Sequence, residues 1–190
     1  MDPSLDCNRP FELEPETFNA RQREVYASIL AGPRGAVEGP LRVWLLSPEL
    51  AERAQALGEF CRYHTSLPAT LSELAVLVVG RFWRADFEWH VHAPIAQRAG
   101  VDPVAIHAIR HGAEPELQGT QKIVYEFCRA LLETRKVSDE IYASAVLALG
   151  RTAVVELVGI LGYYGLISMT IRAFRIPVPR GASESFPADA

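Results

Sequence analysis

The chain has 190 residues, 49% of them hydrophobic, and a formal net charge of −4 at pH 7. This length fits a single domain, residues 1–190, that can bury a core without disulfide or metal staples. The negative charge, with no basic stripe to neutralise phosphates, argues against nucleic-acid binding. The three cysteines, Cys7, Cys61 and Cys128, form no CxxC pair. They therefore favour a reducing compartment over a disulfide framework or a dithiol redox centre.

The two ends of the chain differ from its middle in composition. Residues 1–15 and 180–190 are rich in proline, serine and charge, which is typical of flexible arms. The N-terminus also lacks the apolar region of a signal peptide. We therefore expect a cytoplasmic protein with an ordered domain between two arms.

Helix signals follow one another between the arms. The predicted helices span residues 17–30, 48–63, 71–84, 86–99, 103–112, 118–135, 138–149 and 152–174. Thr70 and Glu73 match the T-x-x-E capping box that begins a helix. Asp86 and Thr152 are predicted N-caps, and Gly100 is a predicted helix-ending residue. Asp102 and Pro103 begin a short predicted helix that stops at Gly112. Sustained period-2 alternation and hairpin turns are missing from the sequence, so we predict an all-α fold.

The last predicted helix contains the most apolar run of the chain, residues 154–171. A membrane-spanning helix needs about 20 mainly apolar residues, so length alone does not decide its environment. The run contains Glu156 and the glycines Gly159, Gly162 and Gly165. We expect a buried core helix with no membrane partner, whose glycines allow close helix packing, including packing across a subunit boundary.

The densest group of reactive side chains is the sequence FEWHVHAP, residues 87–94. On a helix, Glu88 and His92 stand at positions i and i+4 and lie on one face. A carboxylate and an imidazole in contact can exchange a proton and tune each other's pKa. Pro94 removes a backbone amide from this helix and predicts a bend or local opening beside the histidine turn.

The residues alone leave several interpretations open. Glu88 and His92 could form only a surface ion pair, although Phe87 and Trp89 make their neighbourhood apolar. A metal site is disfavoured because His90 lies about 200° round the helix from Glu88, away from His92. We therefore expect no metal.

Two further charged residues are ambiguous. A capping box would by itself account for Glu73. Arg34, in the sequence GPRG, is either a turn arginine or a clamp for an anion.

Several stretches resemble the carboxymuconolactone decarboxylase family, in the branch of the alkylhydroperoxidase D-like fold that lacks a redox dithiol. They are GPRGAVEGP, SPELAERAQALGEFCRYHTSLPATLSELAVLVVGRFW and FEWHVHAPIAQRAGV. The most specific elements are SLPATLSELA and EWHVHAPIA at their observed separation. The tail VVELVGILGYYGLISMTIRAFRIPVP resembles the members with longer chains, so the resemblance covers about residues 20–179.

The resemblance implies an alkylhydroperoxidase D-like helical bundle with an N-terminal helical extension and an extra C-terminal helix. It also implies a homo-oligomer: a trimer, a hexamer or a dimer. In the hydroperoxidase branch the site is a Glu followed by C-x-x-C-x-x-x-H. Glu73 corresponds to that Glu, and His92 to the His. Ala85 and Glu88 correspond to the two cysteines and cannot form a disulfide, so we do not expect thiol peroxidase activity.

In the decarboxylase branch, the family reaction converts 4-carboxymuconolactone to β-ketoadipate enol-lactone and CO2 in aromatic catabolism, with no cofactor. The resemblance therefore implies a cofactor-free lyase for a lactone or a carboxylated ring-cleavage product. Its expected catalytic residues are His92 as proton donor, Glu88 as its orienting partner and Glu73 as a second carboxylate. The expected substrate contacts are Arg34, Arg81, Trp89, Phe87 and His90. Another enzyme on this scaffold (a hydrolase, isomerase or oxidoreductase) and a non-catalytic oligomeric binding protein remain alternatives.

Overall fold

The structure is a computed structural model that describes residues 13–179, 181–182 and 186. Much of the two predicted arms therefore lies outside the described residues. The described part contains α-helices and no β-strand, which confirms the all-α prediction. Its helices are α1 (Ala20–Ala31), α2 (Pro40–Trp44), α3 (Pro48–Tyr63), α4 (Ala69–Trp83), α5 (Asp86–Arg98), α6 (Pro103–His111), α7 (Gly119–Arg129), α8 (Asp139–Leu149) and α9 (Arg151–Phe174).

Several helix ends follow their sequence signals. The Asp102 side chain accepts a hydrogen bond from the Val104 amide at the start of α6, at 2.7 Å. At the end of α5, Gly100 has φ +101°, a left-handed conformation that glycine adopts without a Cβ clash. Gly112 ends α6 in the same region, with φ +72°. Asp and Gly at these positions therefore set helix boundaries as predicted.

Three predicted caps are wrong. α4 begins at Ala69 after Pro68, so Thr70 lies inside the helix and its hydroxyl donates to the Ala99 carbonyl. The capping box therefore does not form, and Glu73 is free to turn towards α5. Asp86 is the first residue of α5 rather than its cap.

Thr152 likewise lies inside α9, which begins at Arg151 after Gly150. A five-residue π-helical turn, Ala130–Thr134, interrupts the helix predicted over residues 118–135. No sequence pattern predicted α2, because its five residues are too few to show a helical period. α5, in contrast, stays helical through Pro94, so this proline does not break it.

α4 is the central helix and packs against α5, α7 and α9. Its side chains of Leu74, Ala75, Leu77 and Val79 are fully buried. α9 is long and apolar enough to cross a membrane by length and composition, with a mean hydropathy of 1.7, but 61% of that stretch is buried within the fold. This burial is what the sequence predicted for a core helix.

Candidate functional site

The α4–α5 hairpin brings three ionisable side chains together. α4 ends at Trp83. The left-handed backbone of Arg84 (φ 52°) then turns the chain, and the buried Ala85 leads directly into α5. The turn folds α5 back along α4. Glu73 on α4 therefore faces His92 on α5, although 19 residues separate them in the chain.

Glu73, His92 and Glu88 form what we call the triad. The distance from His92 Nδ1 to Glu73 Oε2 is 2.7 Å, and that from His92 Nε2 to Glu88 Oε1 is 3.0 Å. The residues are 7%, 2% and 6% exposed in the order given. Each ring nitrogen thus points at a carboxylate, an arrangement in which both nitrogens carry a proton and donate.

The environment of His92 favours its charged form. Burial by itself lowers the pKa of the imidazole, but the charge of Glu88 and the hydrogen bond to Glu73 outweigh it and raise the pKa to about 9. At neutral pH the ring is therefore an imidazolium between two carboxylates. The triad holds a buried, transferable proton and carries a net charge of −1 when both carboxylates are ionised.

Two members of the triad open onto a cavity of about 220 Å³, which we call the triad cavity. Glu88 and His92 line it, whereas Glu73 lies behind the imidazole and does not. The His92 ring makes an edge-on contact with the ring of Tyr164, whose centroid is 5.1 Å away. The other walls include Arg34, Arg62, Phe87 and Tyr163.

Contacts with α3 and α9 hold Arg34 at this cavity. Its Nη2 donates to Tyr163 Oη and its Nε to Gln55 Oε1, both at 3.2 Å. Gln55 Nε2 in turn donates to Glu59 Oε2 at 3.1 Å. Gly58 makes this arrangement possible, because a Cβ built there would lie 2.1 Å from Tyr163 Oη and 2.6 Å from Arg34 Nη2. Arg34 is therefore a positioned cation rather than a free loop arginine.

The sequence-predicted site residues divide into two groups. The structure brings together Glu73, Glu88 and His92, and it places Arg34 and Phe87 on the walls of the same cavity. The phenyl ring of Phe87 occupies the space where any side chain at Gly39 would stand. The glycine therefore leaves room for the ring at the cavity wall.

The other predicted contacts lie elsewhere. Trp89 is buried and packs edge-on against Phe186, with ring centroids 5.3 Å apart. His90 is exposed on the opposite side of α5. Arg81 lines a different cavity, beside the last turn of α4. None of these three residues lines the triad cavity.

Sequence reasoning missed the contributions of α3 and α9. Tyr163 and Tyr164 come from the apolar run of α9, and Gln55 and Gly58 from the amphipathic pattern of α3. A glycine inside a helix was the one available signal, since it costs stability unless a close approach requires it. The tyrosines had no signal because an apolar helix buries aromatic residues wherever it packs.

The described cysteines lie away from the triad cavity. Within the described residues, no three His, Cys, Asp or Glu side chains form a group that could hold a metal ion. Cys61 and Cys128 are free, buried cysteines, and burial raises the pKa of both thiols, which keeps them protonated. Neither cysteine lines the triad cavity.

Residues 48–123, from α3 into α7, match the model of the carboxymuconolactone decarboxylase family. No curated protein sequence matches the chain. Among solved structures, one similar chain is a protein of unknown function from Agrobacterium tumefaciens, described as a candidate AhpD antioxidant defence protein. Its TM-score is 0.64 and its identity 13%, over 75% of this chain and 99% of that one.

The debrominase Bmp8 is similar as well. A variant with one cysteine replaced by alanine, in complex with 2,3,4-tribromopyrrole, matches with a TM-score of 0.69 and 13% identity, over 89% of this chain and 90% of that one. Its apo structure gives the same TM-score and identity over 91% of its length. At this identity the likeness shows the fold alone. The chain therefore has an AhpD-like helical fold, and the match over residues 48–123 is consistent with the carboxymuconolactone decarboxylase family.

Proposed function

We propose that this protein is a cofactor-free lyase that decarboxylates a lactone or a carboxylated ring-cleavage product, with the triad as its proton source. The observation that carries the proposal is the burial of His92 between two carboxylates at the wall of a cavity that also contains Arg34. In this reaction the bond between carbon and the carboxylate breaks and CO2 leaves. Its electron pair moves through the conjugated system to the lactone carbonyl, and a proton then forms the new C–H bond.

The geometry suggests different roles for the two carboxylates. Glu73 holds Nδ1 from behind and does not reach the cavity, so we assign it the positioning of the ring. Glu88 contacts Nε2 and lines the cavity together with His92, so we assign it the relay of the proton from His92 to the substrate. This differs from the sequence-based hypothesis, in which Glu88 oriented the ring and His92 delivered the proton directly.

An anionic substrate needs positive charge in the cavity, because the triad itself is negative. Arg34 supplies a guanidinium that Tyr163 and Gln55 hold in place. Burial raises the pKa of Tyr163 to about 12, so its hydroxyl stays protonated at neutral pH. We assign Arg34 the binding of the substrate's carboxylate or lactone oxygen.

The proposal includes a cytoplasmic location and a homo-oligomer. The outer face of α9 supports the second part. Val155 and Met169 are exposed there, and a Cβ built at Gly159 or Gly162 would meet nothing within 4 Å. A second copy of the chain could therefore approach this helix closely.

We do not extend the substrate of the debrominase to this chain, because no cysteine lines the triad cavity of this chain.

The test is an ultraviolet assay of purified protein with 4-carboxymuconolactone, run beside Glu88→Gln and His92→Asn. We expect turnover by the wild type and a loss of about a hundredfold or more in kcat for each variant. Glu116→Gln, at an exposed position, is the matched control. Unchanged kcat in both variants, or no turnover of any carboxylated lactone in a panel by folded wild type, would contradict the proposal.

A further inference from the structure

A second cavity, of about 250 Å³, lies beside the last turn of α4 and shares no lining residue with the triad cavity. We call it the Arg81 cavity. It is enclosed by α4, the end of α6, α7 and the π-helical turn. Its lining side chains include Val78, Arg81, Phe82, Ile109, Tyr125 and Arg129.

Arg81 is the unusual residue of this cavity. Its Nε is buried and has no hydrogen-bond partner in the described part of the chain. The guanidinium instead lies over the ring of Phe186, 5.7 Å from its centroid. Gly112 allows the guanidinium to approach the end of α6, because a Cβ there would stand 2.8 Å from Nη2. A guanidinium keeps its charge, and burying its Nε–H group without an acceptor is costly.

The second arginine of the cavity differs, since its charge is already matched. Arg129 makes a two-pronged contact with Glu133, with both N–O distances 2.9 Å, and a further contact with Glu114 at 2.7 Å. Glu133 also lines the cavity. The lining thus offers one cation for a ligand, Arg81, because the charges of Arg129 and Glu133 already meet each other. This favours a ligand with a single negative charge.

The rest of the lining is suited to an apolar body. Val78, Ile109 and Leu132 are aliphatic, and Phe82 is 44% exposed at this site. Tyr125 adds a hydroxyl that burial keeps protonated by raising its pKa. Leu132 belongs to the π-helical turn, a feature that is frequent at functional sites.

We propose that the Arg81 cavity binds a small organic monocarboxylate with an apolar ring or chain, its carboxylate on Arg81 and its body against Val78, Phe82 and Leu132. The site is separate from the triad cavity, so the proposal does not depend on the reaction assigned there.

The test is isothermal titration of the full-length protein with 4-bromobenzoate, beside benzyl alcohol as an uncharged ring. Because Arg34 could also bind a carboxylate, the titration is run in the Arg34→Gln background. We expect 4-bromobenzoate to bind there and benzyl alcohol not to bind. Adding Arg81→Gln should weaken binding by about tenfold or more, the value of a charge-assisted contact. Arg98→Gln, at an exposed position in α5, should leave it unchanged.

Two further measurements complete the test. The melting temperature of each variant shows whether it is folded, and Arg81→Lys, which keeps the charge but loses the planar fork, should bind at an intermediate level. In a crystal with 4-bromobenzoate, anomalous scattering should place the bromine within the Arg81 cavity. Binding unaffected by Arg81→Gln, no binding, or a carboxylate of a neighbouring subunit occupying the cavity would overturn the proposal.

Discussion

In the triad cavity the positive ring of His92 lies between two carboxylates of its own chain, whereas Arg81 in the second cavity has a buried Nε without a hydrogen-bond partner among the described residues. Both cations belong to one helical hairpin, Arg81 to α4 and His92 to α5. The two cations therefore suit different chemistry. A cation matched internally can store and release a proton, because its charge state is tuned by fixed neighbours. A cation left unmatched is suited to an external anion.

Glu73→Gln removes one of the two carboxylates that match the charge of His92, so that this cation is less matched, as Arg81 is. Among the variants predicted here, we expect it to have the largest effect. The variant removes the charge behind Nδ1 while it keeps an oxygen that can accept. We expect kcat to fall by about a hundredfold with KM little changed, because Glu73 does not line the cavity. Steady-state kinetics would show this. A rise in KM at constant kcat would mean that Glu73 contacts substrate instead.

The pH dependence of stability gives the next effect in size. Because the folded pKa of His92 is about 9 and the ordinary value is 6.5, the folded protein binds more protons between these values. This stabilisation is complete below pH 6.5 and is lost as pH rises through about 9, a difference of about 3 kcal/mol.

Urea unfolding at pH 6 and pH 9 measures this difference. Other groups also titrate across this range, so His92→Asn provides the comparison. The loss of unfolding free energy with rising pH should be smaller in the variant by about the stated amount. Equal losses in the two proteins would show that folding does not raise the pKa of His92.

Gly58→Ala tests whether the cation of the triad cavity is held by its neighbours. The added methyl collides with Tyr163 Oη and Arg34 Nη2, so these groups must move. We expect KM to rise by about tenfold and the unfolding free energy to fall by about 1–3 kcal/mol. Gly80→Ala, inside α4 where an added Cβ would lie 4.0 Å from Trp89 Cε3, is the control for helix propensity. The same KM in both variants would show that the position of Arg34 does not affect substrate binding.

His90→Asn gives the smallest expected effect. The side chain is exposed and two residues from His92. We expect kcat and KM to stay within a factor of about two and the stability within about 0.5 kcal/mol. The assay with 4-carboxymuconolactone checks this, and a large loss would restore His90 as the substrate contact that the sequence predicted.

The sequence predicted those parts of the molecule that depend on local spacing. The i, i+4 relation of Glu88 and His92 and the helix ends at Asp102 and Gly100 are local, and the structure has them as predicted. Glu73 was placed at the site by the family resemblance rather than by its own pattern, which indicated a capping box.

The parts that sequence reasoning missed depend on packing between distant helices. Tyr163 meets Arg34 across 129 residues, and nothing in either local pattern indicates the other. Arg81 shows the opposite kind of error. The sequence predicted it as a substrate contact because it lies on the same helix as Glu73, but it stands eight residues further along α4 and its side chain lines another cavity. The sequence indicates which residues share one face of a helix, but it does not indicate which other helix packs against that face.

The protonation state of His92 decides whether the triad can donate a proton, and nitrogen-15 NMR of the histidine rings measures it as pH is varied. Assignment comes from His92→Asn. We predict that both ring nitrogens of His92 carry protons at pH 7 and that the ring titrates with a pKa near 9, falling in Glu73→Gln. A neutral ring at pH 7, with a pKa at or below the ordinary 6.5, would contradict the triad as a proton source.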